Sequence, residues 1–169
     1  MIVVSDTSPL NYLVLVDADR FLPGLFGQVA APPAVLAELQ HARTPAKVKE
    51  WAAAPPAWLQ VVAPAPFVPF GRLGPGESEA IALAQQLNAD VVLIDERDGS
   101  AVAKQLGLTV VGTPGVLELA AEKGLLALPA AIAELCQTTF RAQEKLLAEM
   151  LRRDHLRNPS VTPLEENDS

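Results

Sequence analysis

Four carboxylates in this chain occupy positions from which they could bind one metal ion together. Asp6 and Asp95 each come directly after a short run of apolar residues, and Glu38 and Glu77 lie in helical segments between those runs. In an open parallel sheet, ligands bind outside the carboxyl ends of the strands, so acids held there converge although they are far apart in sequence. Clustered carboxylates repel one another unless a cation neutralises them. The pattern therefore predicts a metal site.

Each acid also has an ordinary structural explanation. Asp6 stands where a strand turns into a helix, which is the usual place of a helix N-cap. Glu38 could be a solvated glutamate in the middle of a helix, as we expect for Glu118. The acids around Asp95 flank Arg97, so a surface turn with a local ion pair would explain that group. Arg97 could instead meet a substrate phosphate.

Two of the four acids have neighbours that compete for the same role. Glu77 and Glu79 point about 200° apart on a helix, so only one of them can face the pocket. Glu77 shares its face with apolar residues and is the first choice, although both suit a helix N-terminus. Asp95 stands directly at a strand end and is preferred to Asp98. Thr113, after the last strand, is expected to cap the next helix, with orientation of water or metal as the alternative.

The elements that must position these acids follow from the hydrophobic pattern. Short apolar runs alternate with helical patterns, which predicts an α/β fold of three layers, α/β/α, around a mainly parallel sheet. Predicted strands cover residues 2–5, 28–31, 58–62, 91–94 and 108–111. Predicted helices cover residues 10–15, 44–53, 77–87, 100–106 and 114–123, and another opens at residue 33. The connection over 63–69 is proline-rich and cannot join a central ladder.

One domain accounts for the chain of 169 residues. We place it at residues 1–155, with a helical segment from Pro129 onward, and expect the polar residues 156–169 to form a disordered tail. In the last helix, four apolar side chains form a stripe that should pack on the body or on a partner. These are Leu146, Leu147, Met150 and Leu151.

Composition and charge exclude several classes of protein. No apolar run approaches the roughly 20 residues of a membrane span, and the start lacks a basic region, so we expect a cytoplasmic protein without membrane contact. The net charge of −7 argues against a broadly basic nucleic-acid surface, so any such contact must be local. The single cysteine, Cys136, is expected to be packed on an apolar helical stretch.

Other catalytic patterns are missing from the sequence. His41 and His155 have no Cys or His neighbours at metal-binding spacing, which disfavours zinc, and no Gly-x-Ser-x-Gly elbow indicates a hydrolytic triad. Residues 71–76 contain a proline where a phosphate loop needs backbone donors. A receiver-like or phosphatase-like domain would need a phosphate-anchoring lysine after a later strand, and Lys104 and Lys123 are badly placed for it.

Five stretches, in one order and at compatible spacing, resemble the motifs of a known family. They are residues 3–10, 33–39, 74–84, 93–97 and 107–117. Together they resemble PIN-domain ribonucleases of the toxin-like kind, close to the VapC group. The last stretch resembles a subgroup of uncharacterised PIN-like proteins. The resemblance covers roughly residues 1–155.

The resemblance implies a PIN-like fold and an endoribonuclease that hydrolyses RNA with bound Mg²⁺ or Mn²⁺. The acids of the family fall on Asp6, Glu38, Glu77 and Asp95, which would hold the metal and serve catalysis. It also implies a homodimer and a small antitoxin protein that occupies the groove near the acids. A non-catalytic PIN-like module that acts through protein contacts remains the alternative, because lysine and arginine are scarce near the motifs.

Overall fold

The computed structural model describes residues 1–159, which form a sheet of five parallel strands covered by helices. The strands are β1 (Val3–Ser5), β2 (Val29–Ala31), β3 (Leu59–Val61), β4 (Val91–Leu93) and β5 (Val110–Val111). Their order in the sheet is β3-β2-β1-β4-β5. Because all pairings are parallel, the carboxyl ends of the strands share one edge of the sheet. The predicted three-layer α/β fold is confirmed.

Nine α-helices connect and follow these strands in the described part of the chain. They are α1 (Thr7–Leu15), α2 (Leu22–Phe26), α3 (Pro33–Leu39), α4 (Ala46–Ala53), α5 (Pro75–Gln86), α6 (Arg97–Gln105), α7 (Thr113–Glu122), α8 (Leu128–Cys136) and α9 (Glu144–Arg157). A turn of 3-10 helix covers Asp19–Phe21. Helices α1 and α6 each begin three residues earlier than predicted, at Thr7 and Arg97, and the short helix α2 was not predicted.

Both faces of the sheet are buried, and neighbouring residues of a strand face opposite layers. Val3 and Leu93 belong to the larger apolar cluster, which includes residues of α1, α7, α8 and α9. Val4 and Val92 belong to a second cluster with residues of α5 and α6, such as Ile81. Burial on both faces is why these strands are continuous apolar runs in the sequence instead of alternating ones.

The C-terminal helix α9 packs on α7 through apolar contacts and ion pairs. Leu147 and Met150 are buried as predicted, whereas Leu146, which was placed in the same stripe, is 47% exposed. Arg153 donates two hydrogen bonds to Glu118, at 2.8 and 3.1 Å. Glu118 is therefore not the solvated glutamate that the sequence suggested. Helix α9 continues to Arg157, and the part of the predicted tail beyond residue 159 lies outside the described residues.

The prediction that Cys136 is packed is wrong. Cys136 is the last residue of α8 and is exposed, because Ile132 and Leu135 occupy the buried face of that helix. In residues 1–159, no helix is long and apolar enough to cross a bilayer.

Candidate active site

A cleft of about 220 Å³ lies at the carboxyl edge of the sheet and is lined by carboxylates from four parts of the chain. We call it the acidic cleft and define it by Asp6, Glu38, Glu77 and Glu96. Strands β1 and β4 are neighbours, and the Asp6 amide donates a hydrogen bond of 2.9 Å to the Leu93 carbonyl. The sheet itself therefore fixes the backbone where these two strands end.

Asp6 is the most buried acid of the cleft, with only 2% of its surface exposed. It stands at the N-cap position of α1, yet among residues 1–159 its side chain makes no capping hydrogen bond and its Oδ1 atom has no partner. Burial raises the pKa of Asp6 from 3.8 to about 7, against the opposing effect of the Thr7 amide. The charges of Glu77, Glu38 and Asp95 raise this pKa further. The site therefore disfavours the ionised form of the Asp6 side chain.

Glu38 extends from the last turn of α3 into the cleft and is held by two donors. The Thr7 hydroxyl donates to its Oε2 atom, and the Gly76 amide donates to its Oε1 atom at 2.9 Å. A β-carbon at Gly76 would lie 2.5 Å from Glu38 Oε2, so glycine is required for this approach. The contacts join the starts of α1 and α5 and rule out the solvated glutamate considered from sequence.

Glu77 lies in the first turn of α5 and reaches toward α6. Its Oε2 atom is buried without a partner within the described residues. A β-carbon at Gly99 would overlap this oxygen, so the carboxylate rests against the bare backbone of α6. Burial raises the pKa of Glu77 despite the Gly74 amide, and the charges of Glu96, Glu38 and Asp98 add to the rise.

Asp95 follows β4 closely and is tied to the start of α7. The Thr113 amide donates to its Oδ1 atom at 2.6 Å, and the Thr113 hydroxyl donates to its Oδ2 atom at 2.7 Å. Burial raises the pKa of Asp95, although both Thr113 bonds oppose this. Gly112, not Thr113, takes the N-cap position of α7, so the expected capping role of Thr113 is wrong. Thr113 instead orients a carboxylate.

The alternative acids lie elsewhere. Glu79 accepts a hydrogen bond of 3.1 Å from the Ala34 amide and thereby links α5 to the first turn of α3. Asp98 is exposed in the first turn of α6 and lines a separate cleft beside Phe70 and Arg72. Neither residue lines the acidic cleft, whereas Asp6, Glu38 and Glu77 do. Asp95 does not line it either: it lies in two adjoining clefts that share Glu96 with the acidic cleft.

A direct comparison with known families decides the assignment. The chain matches the DUF3368 family, described as a PIN domain, over residues 2–155. The chain belongs to this PIN-domain family. PIN domains generally have a nuclease fold and are typically metal-dependent nucleases. A comparison with curated proteins gives no match.

Among solved structures, the chain is similar to a PilT N-terminus domain protein from the hyperthermophilic archaeon Sulfolobus solfataricus P2. The identity is 17% and the TM-score is 0.49, with 85% of this chain and 100% of the other chain covered. The assignment to the PIN-domain family rests on the family match, which spans nearly the whole described chain.

The donor set of this PIN domain suits a hard divalent cation. Asp6 Oδ1 and Glu77 Oε2 are buried oxygens without partners in the described chain, and Mg²⁺ or Mn²⁺ prefers such oxygen ligands. Glu38 and Asp95 already accept hydrogen bonds, but a carboxylate has about four lone-pair sites and can accept a bond and bind an ion together. Within residues 1–159, no three acidic, His or Cys side chains already surround a common point.

The site contains a residue that sequence reasoning did not select. Glu96 lines the acidic cleft and is the strongest of the charges that raise the pKa of Glu77. The sequence feature that could have indicated Glu96 is its position directly after Asp95, beyond the end of β4. The expected local ion pair of Arg97 is not found among the described residues, in which Arg97 has no acid within 4.0 Å.

Proposed function

We propose that this PIN domain is an endoribonuclease that hydrolyses phosphodiester bonds of RNA with Mg²⁺ or Mn²⁺ held by its carboxylates. One observation supports this most strongly. Asp6 and Glu77 line the same cleft, at the edge where parallel sheets bind ligands, and each has a buried oxygen without a partner in the described chain. Desolvation and mutual repulsion disfavour both anions, and a cation would relieve both effects.

The roles of the acids follow from their contacts. Asp6 and Glu77 would hold the ion through their free oxygens, and Glu77 could also orient the attacking water. Glu38 and Asp95 would complete the shell in orientations fixed by Gly76 and Thr113. When bound, a divalent ion lowers the pKa of water and neutralises charge that develops on the phosphate.

Calorimetric titration of Mn²⁺ and Mg²⁺, together with RNA cleavage on the same samples, tests the proposal. We expect wild type to bind metal and cleave RNA, and Asp6→Asn to lose both. Glu134→Gln is the control, because it removes an exposed carboxylate of α8 that does not line the acidic cleft. Absence of metal binding in the wild type would contradict the carboxylate mechanism, and so would cleavage that survives Asp6→Asn.

A non-catalytic PIN-like module that binds proteins is the second candidate. Two observations favour it. Glu38 and Asp95 already accept hydrogen bonds at both carboxylate oxygens. Among residues 1–159, no three acidic, His or Cys side chains are grouped so that they could hold a metal ion. In that case the acids would stabilise the junction of α1, α5 and α7. Metal binding without cleavage of any RNA tested would favour this candidate.

We further propose that the enzyme works in the cytoplasm as a homodimeric toxin with a small antitoxin partner. Only the resemblance to the toxin-like PIN group supports this part. Expression should slow growth, and Asp6→Ala or the product of a neighbouring antitoxin gene should restore it. Sedimentation of the purified protein tests the homodimer. Normal growth on expression of active wild-type enzyme would contradict the toxin role.

A further inference from the structure

A groove of about 750 Å³ lies where the ends of three helices meet, away from the acidic cleft. It is formed by the end of α7, the start of α8 and the end of α9. Thr113, which holds Asp95, opens α7, whereas Ala121 near the other end of that helix lines the groove. We call this space the apolar groove and define it by six of the residues that line it. They are Ala121, Leu126, Leu128, Leu151, Asp154 and His155.

The walls of the apolar groove are mainly hydrophobic. Leucine, alanine, glycine and proline side chains form most of them, and the polar groups all come from the end of α9. These polar groups are Asp154, His155 and Asn158. Small-molecule sites in proteins are clefts of roughly 300–1,000 Å³ with apolar walls and a few polar groups that orient the ligand. The apolar groove has this size and this division of its surface.

Asp154 is a polar group of the groove that lacks a hydrogen-bond donor. It is 8% exposed and continues the buried face of α9 one turn beyond Met150, where the pattern calls for an apolar residue. Within residues 1–159, its carboxylate accepts no hydrogen bond, and its nearest cation is Arg157 at 3.8 Å. That guanidinium lies closer to Glu122, at 3.4 Å, and to Glu118, at 3.6 Å. The charge of Asp154 is therefore only partly balanced.

The fold itself gives no reason for an acid at this position. A buried carboxylate without a hydrogen-bond donor costs stability. Asp154 also lies in the last turn of α9, where the helix dipole disfavours negative charge. The N-terminus of α8 lines the same groove, yet in the described chain no amide of α8 donates a hydrogen bond to Asp154. A ligand that brings a positively charged donor would satisfy this carboxylate.

We propose that the apolar groove binds a small organic cation, namely a protonated amine carried on an apolar body. The ammonium group donates a hydrogen bond to Asp154 at the negative end of α9, and the apolar body packs on Leu126, Leu128 and Leu151. Charge complementarity decides the class of ligand, because a neutral molecule would leave Asp154 without a charged partner and an anion would be repelled. The site shares no residue with the acidic cleft and does not depend on the proposed nuclease activity.

Three ligands with the same chain length test the proposal in titrations of the ¹⁵N-labelled full chain, followed by amide chemical shifts at pH 7 in chelator. At this pH n-octylamine is a cation, 1-octanol is neutral and octanoate is an anion. Octylammonium should shift the amides of Leu126, Leu128 and His155 and bind most tightly, and octanoate should bind most weakly. Its affinity should exceed that of octanol at least about tenfold, because a hydrogen bond between charged groups contributes more than a neutral one.

Two variants test the groove independently of each other. Asp154→Asn keeps the shape of the side chain and removes its charge, so it should lower the affinity for octylammonium about tenfold and leave that for octanol nearly unchanged. Ala130→Trp, at an exposed position that lines the groove, should fill the space and abolish binding of both ligands. Glu134→Gln is the matched control, because it removes an exposed carboxylate of α8 outside the groove and should bind octylammonium like the wild type.

The proposal would be overturned if octylammonium bound no more tightly than octanol, if Asp154→Asn kept the wild-type affinity, or if the shifted amides lay outside the groove. A wild type that binds none of the three ligands, and whose dimer dissociates in sedimentation when Ala130→Trp is introduced, would overturn it as well. That result would assign the groove to a second copy of the chain. These measurements use neither Mn²⁺ nor RNA, so failure of the nuclease proposal and failure of this one give separate results.

Discussion

Ionisation of the buried Asp6 side chain destabilises the folded protein. Its pKa rises from 3.8 to about 7, chiefly because burial removes the carboxylate from water. Since the folded pKa lies above the unfolded one, the ionised form destabilises the fold. The penalty is complete above pH 7, decreases as the pH falls toward 3.8, and is absent below that value. Its full size is about 4 kcal/mol.

Asp6→Asn should therefore stabilise the metal-free protein in a pH-dependent way. The asparagine carries no charge, so the free energy of unfolding at pH 8 should rise by about 2–4 kcal/mol, and the gain should shrink as the pH falls below 7. Urea unfolding in chelator between pH 5 and 8 measures this difference. Asp98→Asn, at an exposed position, should show no comparable trend. A gain for Asp6→Asn that does not vary with pH would contradict the assigned cause.

Gly99 provides a second test at the scale of single residues. Its missing β-carbon leaves the space that Glu77 Oε2 occupies, so Gly99→Ala should displace that carboxylate while favouring the helical state of α6 by up to about 1 kcal/mol. We expect Mn²⁺ affinity and RNA cleavage to fall at least about tenfold, with stability maintained or raised. Calorimetry and cleavage assays on one preparation measure both effects.

The matched control for Gly99→Ala is Gly24→Ala. Gly24 lies within α2, and a β-carbon there would meet nothing within 4 Å. This variant should gain helix stability without any loss of metal affinity. Equal activity in the two variants would show that the position of Glu77 does not matter for the site.

At the scale of elements, Glu118 joins α7 to α9. Arg153 and Arg157 surround its carboxylate, and the hydrogen bonds from Arg153 are the main reason that its pKa is lowered. A lowered folded pKa means that this stabilisation is present above the ordinary value of 4.5 and is lost as the pH falls through the folded value. The ion pairs thus strengthen the contact of the last helix at neutral pH.

Glu118→Gln should lower the free energy of unfolding by about 1–2 kcal/mol at pH 7, because it leaves two arginines without their shared partner. The loss should be smaller at acidic pH, where the wild-type carboxylate is itself protonated. Glu134→Gln, at an exposed position of α8, should be nearly neutral. Urea unfolding at both pH values distinguishes the two, and an equal loss in both variants would contradict the specific role of Glu118.

Helices and strands could be predicted from the sequence where the signal is local and does not depend on contacts with other elements of the fold. Continuous apolar runs gave the five strands, and their parallel pairing brought Asp6 and Asp95 to one edge, as expected. The positions of Glu77 and Glu79 on the helix indicated that Glu77 faces the cleft, and Glu77 is the one that lines it. The contacts of Glu118 could not be read from one helix, because its partners lie on α9. In the same way, the sequence around Thr113 indicated a helix cap, because the contact of its hydroxyl with Asp95 exists only in the tertiary structure.

At the scale of the whole molecule, the fold brings acids from four segments of the chain to the carboxyl edge of the sheet. The chain as a whole has a net charge of −7. The sheet fixes Asp6, while α3 and α5 supply Glu38 and Glu77 from outside it. When these elements pack together, their carboxylates come close to one another. The metal-free fold therefore carries an electrostatic cost that binding of a cation would remove. Stability and metal binding should therefore be coupled across the domain.

Mn²⁺ should accordingly raise the unfolding midpoint of the wild type, and chelator should reverse the effect. At a free concentration of 100 times Kd the gain would be about 2.7 kcal/mol. The gain should be larger at pH 8 than at pH 6, because Asp6, with its pKa of about 7, must lose a proton before it binds the ion. Thermal unfolding at both pH values, with Glu134→Gln behaving like the wild type and Asp6→Asn losing the gain, measures this coupling. If Asp6→Asn kept the full gain, or if the gain were the same at both pH values, the ion would bind outside the acidic cleft, and the repulsion there would need another source of relief.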